Sequence, residues 1–167
     1  MSEKLNQLKE ILGEVSDLNH AASVLSWDQQ VNMPPGGGEA RGQQLATLGK
    51  LSHEKSTSDK VGKLLDDLKQ EFAGSDSDDA ALVRVAARNF DKTMRVPSEF
   101  VSEQAVVTTA AFEAWVEAKK KSDFSIFHPH LEKVFDLARK YVSFFPPSDH
   151  PYDVLLDDYE PGMKTAD

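Results

Sequence analysis

The sequence has no cysteine in 167 residues, and that absence closes several routes at once. It can hold no disulfide framework, no thiol nucleophile, no Cys-ligated zinc and no iron–sulfur cluster. Basic residues are also in short supply: 19 Lys and Arg stand against 28 Asp and Glu, a formal net charge of -9. Nucleic-acid binding relies on clustered Lys and Arg to neutralise phosphates, so no nucleic-acid partner is expected. No apolar run approaches the ~20 residues that span a bilayer. The opening MSEKLNQLKEILGEV is charged throughout and lacks the apolar core of a signal peptide. The expectation is a protein with no membrane partner and a cytoplasmic location. Strand-type alternation is missing as well, and there is no internal repeat.

What is present is helical periodicity. Leu5, Leu8, Leu12, Val15, Leu18, Ala22 and Leu25 recur at spacings of three and four, which predicts one helix over residues 3–31. It stops at Met33-Pro34-Pro35-Gly36-Gly37-Gly38, where proline breaks the hydrogen-bond ladder and glycine lets the backbone reverse. Leu45, Leu48 and Leu51 carry a second helix over 39–54. Thr57 or Ser58 then caps a short third one through Val61, Leu64, Leu65, Leu68 and Phe72. A polar loop follows, and Ser77 caps a helix reaching Met94 with Leu82, Val83, Ala86 and Phe90 inward. After the break at Val96-Pro97 a long helix is expected over 98–121. Its apolar side is Phe100, Val101, Val107, Ala111, Ala114 and Trp115, and Lys119, Lys120 and Lys121 suit its carbonyl end. Ser125 is the candidate cap of a last long helix to Phe144, with Pro129 near its first turn. The fold class expected is all-α: antiparallel hairpins or a bundle of about five to six helices.

Residues 1–145 read as the helical domain and 146–167 as an irregular acidic tail. From Phe145 onward Asp149, Asp153, Asp157, Asp158, Glu160 and Asp167 face Lys164 alone, so -5 of the total -9 lies there. Pro146, Pro147, Pro151 and Pro161 leave room for one short helix, over about 152–158. Thr165 reads as the N-cap of a helix that has just begun, which leads us to expect a truncated chain.

Catalytic constellations are hard to find. His53-Glu54 opens like the HExxH zinc helix, but position 57 is threonine, so the second ligand is missing. His128 and His130 flank Pro129 and point in different directions on a helix, as surface or capping histidines do. His20 reads as a polar group at a packing edge. There is no GxSxG elbow, and the glycines at 36–38 are followed by no Gly-Lys-Ser/Thr and preceded by no strand, so they are a turn and not a phosphate loop. Asp157 and Asp158 are adjacent and do not face each other. No catalytic residue and no metal ligand is assigned in this chain.

Two stretches are nevertheless more particular than packing demands: LSWDQQVNMPPGGGEARGQQLATL at 25–48 and HPYDVLLDDYEPGM at 150–163. Together with WVEAKKKSDFSIFHPHLEKVFDLARKY at 115–141, they resemble, in order, characteristic stretches of the carboxypeptidase Taq family, family 32 of the metallopeptidases. The resemblance implies a largely helical, dimeric, metal-dependent carboxypeptidase that removes C-terminal residues from peptides, with a divalent metal, zinc by expectation. In that family the HExxH helix and its downstream glutamate come after the segment resembling this tail. The chain therefore resembles the N-terminal third of such an enzyme, the helical part that walls and covers the substrate groove. No position here matches a metal ligand or the catalytic glutamate, so the chain alone is expected to hold no cofactor and to be inactive. Peptide substrate would belong to a full-length enzyme only.

The matched stretches supply the candidate site residues. Trp27 is expected to pack under the glycine turn, where a large ring fills the space that the glycines leave. Asp28 and Arg41 flank that turn and could pair across it; alternatively, Arg41 could meet a substrate carboxylate through two parallel hydrogen bonds. Tyr152, Asp153 and Tyr159 could line a groove in a complete enzyme and are expected to be exposed or poorly ordered in this chain. The competing reading is a stand-alone helical interaction or regulatory module acting by self-association, and a homo-oligomer is expected on either reading because uncovered apolar faces associate.

Overall fold

The structure, a computed structural model, describes residues 3–167. It is all-helical: α1 (Glu3–Val31), α2 (Gly38–Ser56), α3 (Asp59–Glu71), α4 (Asp78–Thr93), α5 (Ser98–Lys121), α6 (Phe124–Val142) and the short α7 (Tyr152–Leu156), with no strand among the described residues. None of the described helices is long and apolar enough to cross a membrane. The chain divides into two compact units, Met1–Val106 and Val107–Asp167.

In the first unit, Leu5 and Leu8 of α1 are packed with Val61, Leu64, Leu65 and Leu68 of α3 and with Val83 and Ala87 of α4. Ile11, Leu12, Phe72, Leu82, Ala86 and Phe90 close around them. Burying a leucine or valine fully contributes roughly 1.5–3 kcal/mol, so this cluster is the main source of the unit's stability. Lys4 reaches Asp67 at 2.9 Å and Lys9 reaches Asp79 at 2.7 Å, each tying the start of α1 to a packed neighbour.

Local chemistry sets the helix ends. Asn32 and Met33 both donate their N–H to the Asp28 carbonyl at 2.9 Å, Pro34 and Pro35 stop α1, and Gly36 turns the chain at φ +86°. The Ser77 hydroxyl accepts from the Ala80 N–H, capping α4 as its position predicts. At α6 the cap is Asp123, whose carboxylate accepts from both the N–H (3.0 Å) and the hydroxyl (2.6 Å) of Ser125. Ser125 is thus inside the helix. A carboxylate two residues earlier outcompetes a hydroxyl there because charged acceptors bind N–H groups more strongly. Pro129 sits inside α6, past its first turn.

The interface that α2 offers differs from the expected leucine face. Its buried positions are Gly38, Gly42, Ala46 and Ser52, whereas Leu51 is 48% exposed. Gly38, Gly42 and Ala46 recur every four residues and form a stripe without side-chain bulk, so α2 meets its neighbours through backbone and methyl groups. Hydrophobic size is therefore a poor guide to which side of this helix faces inward.

In the second unit, α6 packs on α7, with Leu137 and Val154 buried. Ala111, Ala114 and Ala118 are the buried side of α5 in this unit. Trp115, expected inward, is 42% exposed: its ring lies 5.9 Å from Phe112 and beneath the Lys119 ammonium at 5.1 Å, so the lysine covers a face that the core does not.

Candidate functional site

The turn between α1 and α2 is held by one side chain. Arg41, in the first turn of α2, places Nη2 2.6 Å from Asp28 Oδ2 and Nε 3.2 Å from Gln44 Oε1, and donates through Nη1 to the Leu25 carbonyl. Its side chain is only 11% exposed. The guanidinium thus binds a carboxylate, an amide and a helix carbonyl at once, with each nitrogen committed to a partner across the joint or beside it. Gly37 completes the joint. A Cβ there would lie 2.9 Å from Met33 Cγ, close enough to force the methionine to shift, and a tight 3.2 Å from the Pro34 carbonyl oxygen.

Trp27 stands outside this arrangement. It is 60% exposed and does not fill the space under the glycines. With Val24 and Val31, 63% and 56% exposed, it forms a stripe on a different side of α1 from Leu8 and Leu12. The stripe from Leu5 to Leu25 stays buried or half-buried, and the ring lies off it on the exposed side.

In the second unit the tail folds back on Asp153. This carboxylate is buried, and its Oδ1 accepts the Thr165 N–H at 2.8 Å and the Thr165 hydroxyl at 2.5 Å. Lys164 Nζ lies 3.5 Å from Oδ2, which makes no hydrogen bond. The Thr165 hydrogen bonds, helped by the Lys164 charge, hold the Asp153 carboxyl down at about 2 against an ordinary 3.8. The Asp153 N–H donates to the His150 carbonyl, and Gly162, at φ +85°, donates its N–H to Asp157 Oδ1 at 2.8 Å. From α6, the Tyr141 hydroxyl donates to Asp158 Oδ1 at 3.2 Å, and burial followed by the Asp158 charge pushes the Tyr141 phenol upward.

One expectation changes here. Asp153 is buried and not exposed, because a backbone N–H, a hydroxyl and an ammonium converge on it. The Thr165 hydroxyl is donated to Asp153. Tyr152 and Tyr159 are exposed, at 51% and 87%. The structure therefore brings together Asp28 with Arg41, and Asp153 with residues that sequence reasoning did not select: His150, Lys164 and Thr165. Nothing in the local sequence pattern pairs positions 153 and 165, since the contact depends on the path of an irregular loop.

No metal-binding geometry emerges. Among the described residues, no three His, Asp or Glu side chains are grouped so as to hold an ion. At the HExxH-like start, Thr57 closes α2 by donating its hydroxyl to the His53 carbonyl at 2.8 Å, so position 57 serves the backbone. His128 points at Glu132, 3.8 Å away, and packs edge-on against Phe124. A catalytic zinc needs three converging protein ligands, and these residues do not fit one.

Comparison with known proteins is consistent across sequence and structure. The family described as carboxypeptidase Taq (M32) metallopeptidase matches residues 7–167. Among curated proteins, carboxypeptidase 1 of Bacillus subtilis is 30% identical over 154 residues, covering 92% of this chain and 31% of that protein. Thermostable carboxypeptidase 1 of Pyrococcus furiosus is 36% identical over 163 residues, covering 96% of this chain and 32% of its own length. The BsuCP crystal structure superposes with a TM-score of 0.93 at 28% identity, covering 99% of this chain and 33% of that one. The Pyrococcus furiosus carboxypeptidase structure (Apo-Mg) gives 0.78 at 35% identity, covering 100% and 33%. The chain spans about a third of the length of these relatives.

Proposed function

Since the chain belongs to the carboxypeptidase Taq (M32) metallopeptidase family, we propose that it serves as the N-terminal helical part of a metal-dependent carboxypeptidase, a structural wall of the peptide groove. The observation that carries this reading is the superposition on BsuCP at a TM-score of 0.93, which uses nearly all of this chain and a third of that one. The absence of a three-ligand group among the described residues fits a division of labour in which metal chemistry lies in another segment.

Within that reading, Arg41 and Asp28 fix the angle between α1 and α2, and the Asp153–Thr165 clasp sets the path of the tail. Trp27, Tyr152 and Tyr159, exposed on their elements, are the residues available to a groove or to further polypeptide. A divalent metal, zinc by expectation, and a cytoplasmic setting belong to the same proposal. The gene tests it: coding sequence continuing in frame past Asp167 into an HExxH segment is expected. An in-frame stop at that point would favour the second reading, a self-associating helical module. The exposed Val24–Trp27–Val31 stripe favours that second reading, because adjacent apolar side chains on one helix face lower their free energy by pairing.

A further inference from the structure

Charge is distributed unevenly along α1. Its first half carries Glu3, Lys4, Lys9, Glu10, Glu14 and Asp17, as a helix facing water ordinarily does. Between Asp17 and Glu39, by contrast, Asp28 is the single Asp, Glu, Lys or Arg, in a chain of which such residues make up 28%. That one carboxylate is bound by Arg41 at 2.6 Å, so its charge is answered within the joint.

Burial does not account for this depletion. Val24, Trp27 and Val31 are more than half exposed. With the exposed His20 they follow spacings of four, three and four, which places them on one face of the helix. The polar residues exposed beside them, Ser23 and Gln30, are uncharged, and the Ser23 hydroxyl is donated to the Asn19 carbonyl of the same helix. A face that meets only water gains nothing by excluding Lys and Glu. Permanent interfaces do gain: charged side chains are depleted at their centres and aromatic ones enriched, and obligate contacts resemble a domain core cut in half.

The comparisons indicate what occupies such a face. BsuCP matches this chain over a third of its own length at a TM-score of 0.93, so there the same fold shares one polypeptide with the other two thirds. The Pyrococcus furiosus structure stands in the same relation. A second copy can cover the face in the isolated chain, but the permanent partner common to these relatives is the rest of their own polypeptide.

We propose that the His20–Val24–Trp27–Val31 face of α1 is the docking surface for the metal-bearing two thirds of an M32 metallopeptidase polypeptide. The proposal rests on the reading of this chain as the N-terminal part of such an enzyme. It gives Trp27 a buried packing position in the complete molecule, not a place on a wall open to peptide.

The test fuses residues 1–167 to the remainder of Bacillus subtilis carboxypeptidase 1, in place of that enzyme's matched third. The fusion is compared with the 167-residue chain at a concentration where the chain sediments as a monomer. Val24→Lys and Trp27→Lys each set an ammonium on the face. In the chain alone, where the face meets water, each should leave the thermal midpoint within ~2 °C. In the fusion each should lower it by at least ~3 °C, because the charge is then buried without a partner. An unchanged midpoint in the fusion overturns the proposal, and if the KM for peptide rises alone, the face lines the groove instead. Equal losses in fusion and chain also overturn it, since the face then belongs to the chain's own packing. So does a loss confined to concentrations at which a dimer of the fusion dissociates, because a second copy is then the occupant. A fusion that folds but holds no zinc and releases no C-terminal residues contradicts the underlying reading, while its midpoints still decide the face. A fusion that does not fold overturns the proposal, because the face has then failed to receive the polypeptide assigned to it.

Discussion

Arg41 shows how much one residue can settle. Its guanidinium joins Asp28, Gln44 and the Leu25 carbonyl, so its loss removes the cation from a part-buried carboxylate and one donor from a helix carbonyl. Arg41→Met should therefore cost roughly 1.5–3 kcal/mol, read as a lower midpoint in urea unfolding. Arg41→Lys should recover little of this, because an ammonium cannot reach in three directions in one plane. Asp153 gives a prediction in pH. Its carboxyl is held at about 2 in the folded chain against 3.8. The clasp's contribution to stability is thus complete above about 3.8 and lost as pH falls through 2. Amide exchange at Thr165 should remain protected at pH 4 and open toward pH 2, and Asp153→Asn should remove this dependence. Of these two sites, only the first could be read from the sequence. Asp28 and Arg41 flank a short Pro-Gly turn, so chain geometry alone brings them near each other. Asp153 meets Thr165 through a loop whose path no periodicity records.

Helices were legible where polar punctuation and apolar spacing agreed. The end of α1 and the start of α5 follow from prolines, and the cap of α4 from Ser77. Which side of a helix faces inward was harder to read. In α1 the stripe from Leu5 to Leu25 is buried or half-buried, whereas Val24, Trp27 and Val31 lie exposed off it, so placing the tryptophan under the glycine turn ignored its position off that stripe. In α2 the inward side is Gly38, Gly42 and Ala46, which carry almost no hydrophobic signal because they carry almost no side chain. Their role predicts an asymmetry. Gly42→Leu adds bulk to a buried stripe and should destabilise by about 1–3 kcal/mol or more, while Leu51→Ala on the same helix, at a half-exposed position, should cost much less. Thermal unfolding of the two variants side by side checks this, and equal losses would contradict the small-residue packing of α2.

At the scale of the whole chain, the family assignment rests on a match over 7–167 and the length relation on relatives of which the chain spans about a third. The outward stripe of α1 then predicts concentration-dependent self-association by sedimentation, weakened by Trp27→Glu; a monomer at all concentrations would argue against pairing through that face. The central claim is that this chain is the scaffold part of a metallocarboxypeptidase and not its chemistry. It is tested most directly by dialysing the purified 167-residue protein against zinc, removing free metal, and measuring bound metal together with release of C-terminal amino acids from peptides. The account predicts metal well below one equivalent and no release above background. One equivalent of retained zinc with turnover would contradict it.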